Sequence, residues 1–434
     1  MSSSSTTLIP LSPMDAAMSA FGFTVLYVFP PASTAADTKT FDLEKLHSAF
    51  QRLVEEEYRI LLGEQHIDPV TGVVSIKQTP AAVAKGASIA IPFEKVAEYG
   101  DTTEDVMQSL AMSFLPNREQ TQVVTIKATA LCDGGLALGV NMSHCMLDGE
   151  GMFTFMKSWG EFYRGLTKEE RTVICHDRSL LAPRGTGALL PHLEFKMKEP
   201  TLEVPTESTS PVPPAFPATT QHVFHVTPER MKRIKAIASA GLTDGYVSTT
   251  DALTALFIIL ITQARGHGQD MRFTTGVNAR KRFTPPLPAN YAGNVIFNAF
   301  SAYTADELSV LNEDAIQRIA KRVRESILRR DDEYLRDAIE FISSQGNLMD
   351  VSVGTNFFFG PDLMFTSWAN FGMYDAKFET TPWFVGPPKL PVCDGMVVFL
   401  EGIRGASGLD LLVLLETNAM ERLVKLWEQV PFWN

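Results

Sequence analysis

Hydrophobic and polar positions along the chain alternate between two periods. Between residues 41 and 58, Leu43, Leu46, Phe50 and Leu53 recur at spacings of three and four, which predicts an amphipathic helix. Residues 120–144 change to a period of two and predict a pair of strands around a Cys-Asp-Gly-Gly turn. The face carrying Leu136, Leu138, Val140 and Met142 continues to His144 at its end. After Gly149 and Gly151 the helical period returns, with Met152, Phe155, Met156, Trp159 and Tyr163 on one stripe. Later, "HVFHV" predicts a strand, followed by a helix with Thr227 as N-cap and Pro228 at its first position. "ALTALFIILITQA" (252–264) is apolar on every side and predicts a buried core helix. Residues 312–344 predict a helix or helix pair whose dense mixed charges form a solvated face.

One segment obeys neither period. Residues 198–220, "KEPTLEVPTESTSPVPPAFPATT", are rich in Pro, Ser and Thr. Each proline removes a backbone donor and restricts the residue before it, so the segment predicts an extended crossover. It divides the chain into an N-terminal lobe (1–197) and a C-terminal lobe (221–434), a division that 434 residues invite by exceeding a single core. "GLALGVNMSHCM" and "GLDLLVLLETNA", aligned on Gly135 and Gly408, echo each other with one apolar face apiece. The second is Leu409, Leu411, Val413 and Leu415. The fold class expected is α/β, two lobes of related architecture, each a mixed sheet flanked by helices. Thr417 stands where the first copy has His144, so packing alone does not require the imidazole.

Composition then removes whole classes of function. The formal net charge of −12 argues against a nucleic-acid surface. Nowhere do about 18 consecutive apolar residues occur, so no membrane span is expected, nor does the N-terminus carry the basic start of a secretory signal. The four cysteines (Cys132, Cys145, Cys175, Cys393) lack CxxC pairing and read as reduced thiols, consistent with a cytoplasmic location. His222 and His225 point to opposite faces of a strand and do not read as a metal pair, so no metal is expected.

What remains is chemistry at "NMSHCMLDGEG" (141–151). A histidine at the mouth of an apolar strand face sits where a pocket between layers opens. Neutral imidazole suits a general base near neutral pH, and partial desolvation keeps it neutral. Asp148 admits two readings. Its carboxylate either orients the ring or, as part of the Asp-Gly turn, binds backbone donors or a distant arginine. Cys145 is adjacent to His144 and would point to the opposite face, which argues against a Cys-His nucleophile pair.

At this point the residues resemble the BAHD acyl-CoA-dependent acyltransferases, especially fungal members, over nearly the whole chain. His144 to Gly149 is the family's H-x-x-x-D-G. "IPLSPMD" (9–15), "GVNARKRFTPPLPANYAGNVIF" (276–297), "FTSWANFGMYDAKF" (365–378) and "DGMVVFLEGIRGASGLDLLVLLETNAMERL" (394–423) are similar to its further blocks, in order. The resemblance implies a chloramphenicol-acetyltransferase-like fold with the active-site tunnel between the lobes. It implies that His144 is the base and that Asp148 is structural, paired with Arg280 or alternatively Arg282. Gly149 would support the turn. Candidates for the substrate or oxyanion site are Asn294, Ser367 and Trp368. Acyl-CoA would be co-substrate with no tightly bound cofactor, and the acyl group, acetyl or another short chain, would pass without an acyl-enzyme. The acceptor would be a hydroxyl or amine of a small, largely apolar metabolite, oxygen being favoured. Met146, Met152 and Phe155 would line its pocket, and a monomer is expected.

One departure stands out. The family's Asp-Phe-Gly-Trp-Gly falls at 377–381, where this chain has "KFETT", with Asp375 or Trp383 as candidate compensations. Two rival readings follow. A condensation-domain-like enzyme would take its acyl group from a carrier-protein thioester, although such domains usually carry a second histidine where Ser143 stands. A descendant without transferase activity would bind or cyclise a metabolite.

Overall fold

The computed structural model describes residues 5–34, 37–39, 41–197 and 216–433. Its framework is two mixed β-sheets with helices against them. The first sheet runs in the order Phe384–Gly386, Gly22–Phe29, Leu136–Ser143, Val124–Leu131, Phe93–Tyr99, antiparallel except for its last pair. The second runs Thr219–Val226, Leu409–Glu416, Met396–Glu401, Leu363–Ser367, Met271–Asn278, Ile296–Tyr303, and the two pairings made by Leu363–Ser367 are parallel, the rest antiparallel. This is the two-lobe α/β architecture that the alternating periods and the family resemblance imply.

The helices form where the apolar spacing places them. Leu43–Glu56 is capped by Asp42 and buries Leu46, Phe50 and Leu53. Gly149–Arg164 packs its Met152–Tyr163 stripe into the same core, and the Trp159 indole N–H donates to the Leu46 carbonyl at 3.0 Å. Thr227 caps Pro228–Ser239, its side chain accepting from the Arg230 N–H. Thr249–Arg265 is buried over most of its length. Residues 312–344 form two helices, Glu313–Leu328 and Asp332–Ser343, each opened by its own N-cap, Asn312 and Asp331. Both strands of the internal echo are present, at Leu136–Ser143 and Leu409–Glu416.

Alternation in the second sheet joins the two halves. Val397, Phe399, Leu411 and Val413 pack against helices of the C-terminal half. Their neighbours Val398, Leu400, Leu412 and Leu414 belong to the core of the first lobe. Burying side chains of this size contributes about 1.5–3 kcal/mol each, so strands apolar on both faces bind the lobes strongly. Residues 384–386, from the C-terminal half, also supply the edge of the first sheet. Of the expected crossover 198–220, residues 198–215 lie outside the described residues. Thr219 and Thr220 already belong to a strand, which therefore begins two residues before the expected lobe boundary.

Candidate active site

His144 lies one residue beyond the strand Leu136–Ser143, half-buried, at the start of the turn that leads into Gly149–Arg164. Its backbone N–H donates to the Phe21 carbonyl at 2.9 Å, which ties the turn to the neighbouring strand. The ring stacks on Phe23 at 5.0 Å between centroids. Burial pushes the imidazole below its ordinary pKa. A hydrogen bond to its own backbone, the Asp148 and Asp15 charges and the contact with Asn294 oppose that shift without cancelling it. The ring is thus neutral near pH 7, and a lone pair is available for proton abstraction.

Asp148 makes no hydrogen bond to the ring. It is the N-cap of the following helix, accepting from the Gly151 N–H at 3.0 Å, and it also accepts from the Val295 N–H at 2.9 Å. Both its oxygens meet Arg280, whose Nη1 and Nη2 each donate at 2.8 Å. Arg280 further donates to the carbonyls of Tyr291 and Gly293. Burial disfavours its charge, and Asp148 more than offsets this, so the guanidinium pKa is raised. Arg282 is engaged elsewhere, with the carbonyls of Ile327 and Arg330. Hydrogen-bond counting therefore separates the two acidic readings: the carboxylate holds the turn and the loop 279–295 together.

Asn294, half of a contact the sequence did not single out, faces the other edge of the imidazole. Its Oδ1 lies 3.1 Å from His144 Nδ1, while its Nδ2 donates to the His144 carbonyl at 2.7 Å and to Asp15 Oδ1 at 3.1 Å. Asp15 is fully buried and also receives Arg178 Nη1 on both oxygens, at 2.9 and 3.0 Å. Asp15 and Arg178 were not predicted as site residues. Asp15 closes the "IPLSPMD" block that resembles the family's N-terminal opening, and Ser12-Pro-Met-Asp15 also reads as a capping box, which in the structure it is.

Trp368 follows the strand Leu363–Ser367, and its backbone N–H donates to the Phe399 carbonyl at 2.9 Å. Its ring meets Phe23 edge-on at 5.3 Å, and a Cβ built on Gly149 would sit 4.0 Å from its Nε1. Gly149, Trp368, Phe23 and His144 are therefore one cluster. Strand parity puts Ser367 on the side of Leu363 and Phe365, which pack into the C-terminal core. Thr366 takes the opposite side, its Oγ1 3.7 Å from a Cβ built on Gly276. Met146, Met152 and Phe155 do not line a pocket. They are 1%, 0% and 0% exposed, because the helical stripe that carries the latter two faces the first sheet.

A cavity of about 420 Å³ opens beside this cluster, lined among others by Glu150, Phe153, Lys157, Arg280, Lys281 and Asn370. His144 is not on its wall. The connection runs through rings, Phe153 to Trp368 at 5.8 Å and Trp368 to Phe23 at 5.3 Å.

"KFETT" docks at the end of the helix Gly149–Arg164 away from His144. The Phe378 ring packs against Phe29, Trp159 and Tyr163, and the Lys377 backbone lies so close to Gly160 that a Cβ there would sit 2.5 Å from its carbonyl oxygen. Gly160 is twelve residues past the Asp148 cap, roughly 18 Å along the helix axis. Glu379 accepts from the Tyr163 hydroxyl at 2.7 Å and lies 3.6 Å from Lys45 Nζ. Asp375 is exposed on the cavity wall, and Trp383 lies under the Arg404 guanidinium at 4.5 Å.

The sequence profile of the Transferase family matches residues 2–430. Hydroxycinnamoyltransferase of Narcissus pseudonarcissus is 30% identical over 71% of this chain and 70% of its own length. Shikimate O-hydroxycinnamoyltransferase of Nicotiana tabacum is 30% identical over 76% of each. Among solved structures, F. graminearum TRI101 complexed with coenzyme A and deoxynivalenol superimposes with a TM-score of 0.77 at 17% identity, covering 98% of both chains. Vinorine synthase gives 0.66 at 18% identity, over 98% of this chain and 97% of that one.

Proposed function

This chain belongs to the Transferase family, the BAHD acyl-CoA-dependent acyltransferases, and from that premise we propose that it moves an acyl group from acyl-CoA to a hydroxyl of a small metabolite with His144 as general base. The observation that carries the reading is the placement of a neutral imidazole whose Nδ1 faces Asn294 Oδ1 at 3.1 Å. With its proton on Nδ1, Nε2 takes the proton of the acceptor hydroxyl as the oxygen attacks the thioester carbonyl. A tetrahedral oxyanion forms, the C–S bond breaks, and the imidazolium returns the proton to the departing thiolate. No acyl-enzyme is needed. The Trp368 indole N–H, beside Gly149 and one ring from His144, is the donor assigned to the oxyanion. Both amide hydrogens of Asn294 serve Asp15 and the His144 carbonyl, which leaves that residue to hold the base. Lys157 and Lys281 on the cavity wall suit the anionic end of a CoA donor.

Short acyl chains remain the first expectation for the donor; the names of the curated relatives favour hydroxycinnamoyl groups as a second reading. Turnover of a panel running from acetyl-CoA to hydroxycinnamoyl-CoAs, scored by release of free CoA with hydroxyl and amine acceptors, separates these. Transfer from a loaded carrier protein and from none of the acyl-CoAs would overturn the proposed donor. The pH dependence is set by His144. Its folded-state pKa lies below the ordinary imidazole value of 6.5, and the base works only when neutral. The acid limb of kcat/KM is therefore expected to have its midpoint below 6.5. An acid limb centred above that value would contradict the burial of the ring.

A further inference from the structure

Asp15 stands outside every role assigned so far, although it is fully buried 279 positions away in sequence from the asparagine it touches. Its carboxylate is surrounded only by donors. Oδ2 accepts from the Ser12 N–H and hydroxyl at 3.2 and 2.7 Å, and Oδ1 accepts from the Asn294 N–H at 2.8 Å and from Asn294 Nδ2 at 3.1 Å. Arg178 Nη1 reaches both oxygens, while its Nη2 donates to the Met146 carbonyl at 2.9 Å, inside the His144–Asp148 turn.

An asparagine amide has two faces that differ only in which atom donates. Here the two acceptors on one side, the Asp15 carboxylate and the His144 carbonyl, both demand the NH2 group. The carbonyl end is then forced toward the imidazole, where an oxygen can only accept. We propose that Asp15, clamped by Arg178, is a positioning residue: it fixes the Asn294 amide in the one orientation that places the His144 proton on Nδ1 and the lone pair on Nε2. Without that acceptor only the His144 carbonyl still holds the NH2 group, so the amide turns over more easily, presents its NH2 to Nδ1, and leaves the proton on Nε2, where the base is blocked.

The charged groups around the imidazole are few. Asp148 comes from its own turn and is paired with Arg280 from the loop 279–295; Asp15 comes from the N-terminal helix and is paired with Arg178 from the segment 178–181. Glu150 lies 3.8 Å from Arg280 Nη1. Burial pushes the Cys145 thiol up to about 11, so it carries no charge near neutral pH. Phe23 and Trp368 present only rings. Asp15 favours the imidazolium, so neutralising it lowers the apparent pKa of the base.

The proposal rests on His144 being the base, and the experiment keeps the two apart. In wild-type protein labelled with 15N-histidine, the His144 signal, identified by its loss in His144→Gln, is expected to be the Nδ1–H tautomer at pH 7.5. A dominant Nε2–H tautomer overturns the proposal, whatever the variants do. Asp15→Asn is expected to lower kcat roughly 10- to 100-fold, the range for a lost orienting partner, with KM for acyl-CoA little changed. Its acid limb should move to lower pH. Asn294→Ala should lose kcat similarly, and adding Asp15→Asn to it should cost no more than about a further twofold, because the two act through one amide. Losses that multiply, or an unmoved acid limb, overturn the proposal. If Asp15→Asn does not fold, the wild-type spectrum decides. Turnover that persists in His144→Ala removes the base assignment itself, whereas a silent Asp15→Asn in an enzyme that still needs His144 removes only this inference.

Discussion

Replacing His144 with alanine is expected to lower kcat/KM by roughly 100- to 10,000-fold, the share general base catalysis ordinarily supplies, while the protein remains folded. The two halves of that expectation have separate physical grounds. The loss follows because, among the described residues, the two carboxylates nearest the ring are already engaged: Asp148 is saturated by Arg280, Gly151 and Val295, and Asp15 by Ser12, Arg178 and Asn294. Survival of the fold follows because the ring is half-buried at a turn and contributes stacking on Phe23, a hydrogen bond with Asn294 and one to its own backbone. The turn keeps its own supports. Cys145 provides the internal contrast. It is buried, with Sγ 3.1 Å from the Ser143 hydroxyl and a thiol pushed up to about 11, so a thiolate nucleophile is excluded at neutral pH. Cys145→Ala should therefore retain turnover. Steady-state CoA release, with unfolding by circular dichroism as the fold control, measures both variants. An active His144→Ala enzyme, or a dead but folded Cys145→Ala enzyme, would mean that the nucleophile or the base has been misassigned.

Much of this site was legible in the sequence because its chemistry is local. His144, Asp148 and Gly149 fall within six residues, and the change from period two to period 3.6 marks where the strand stops and the helix starts. The partner of Asp148 was legible for another reason, the family resemblance, which narrowed it to two arginines. Only packing chooses between these. Arg280 points into the turn, and Arg282, two residues on, reaches the carbonyls that end the helix Glu313–Leu328. Residues whose role depends on a distant surface were not legible. Asp15 looks complete as a capping-box acid, and nothing in Ser12-Pro-Met-Asp announces that the same carboxylate meets Arg178 and Asn294.

Periodicity alone does not tell a pocket wall from a packed face. Met152 and Phe155 were placed at a pocket because they follow the motif, yet a helix stripe of that width is consumed by the sheet beneath it. Ser367 is one of three candidates the resemblance implies for the substrate or oxyanion site, and period two does not say which face of its strand meets the other lobe. In the structure Thr366, with Met364, holds the side opposite the C-terminal core. The strand Phe384–Gly386 was also invisible. Three residues carry no period, and its place at the edge of the first sheet depends on pairing with Leu26–Val28. "KFETT" is a departure whose side-chain contacts are aromatic and polar packing away from His144. Phe378 keeps the aromatic contacts, and Glu379 binds Tyr163 where a glycine is usual, at the end of the helix remote from His144.

Breaking the Asp148–Arg280 pair is the change expected to cost the fold most. Asp148 is 0% and Arg280 5% exposed, and the pair is bidentate. Arg280→Met fills the space and leaves a carboxylate buried without its cation, which costs roughly 3–5 kcal/mol. It also frees the carbonyls of Tyr291 and Gly293, which Arg280 alone gathers in the loop 279–295. Asp148→Asn added to Arg280→Met should recover part of the loss. It removes the stranded charge, and its remaining oxygen can still cap the helix at Gly151. The recovery must be incomplete, because an amide has one acceptor oxygen for the two backbone donors, Gly151 and Val295, that the carboxylate divides between its two. Urea unfolding midpoints at unchanged slope, for wild type, the two single variants and the double, close the cycle. Strictly additive losses would mean that the two side chains stabilise the protein independently. The turn that carries His144 would then owe its position to something other than this pair.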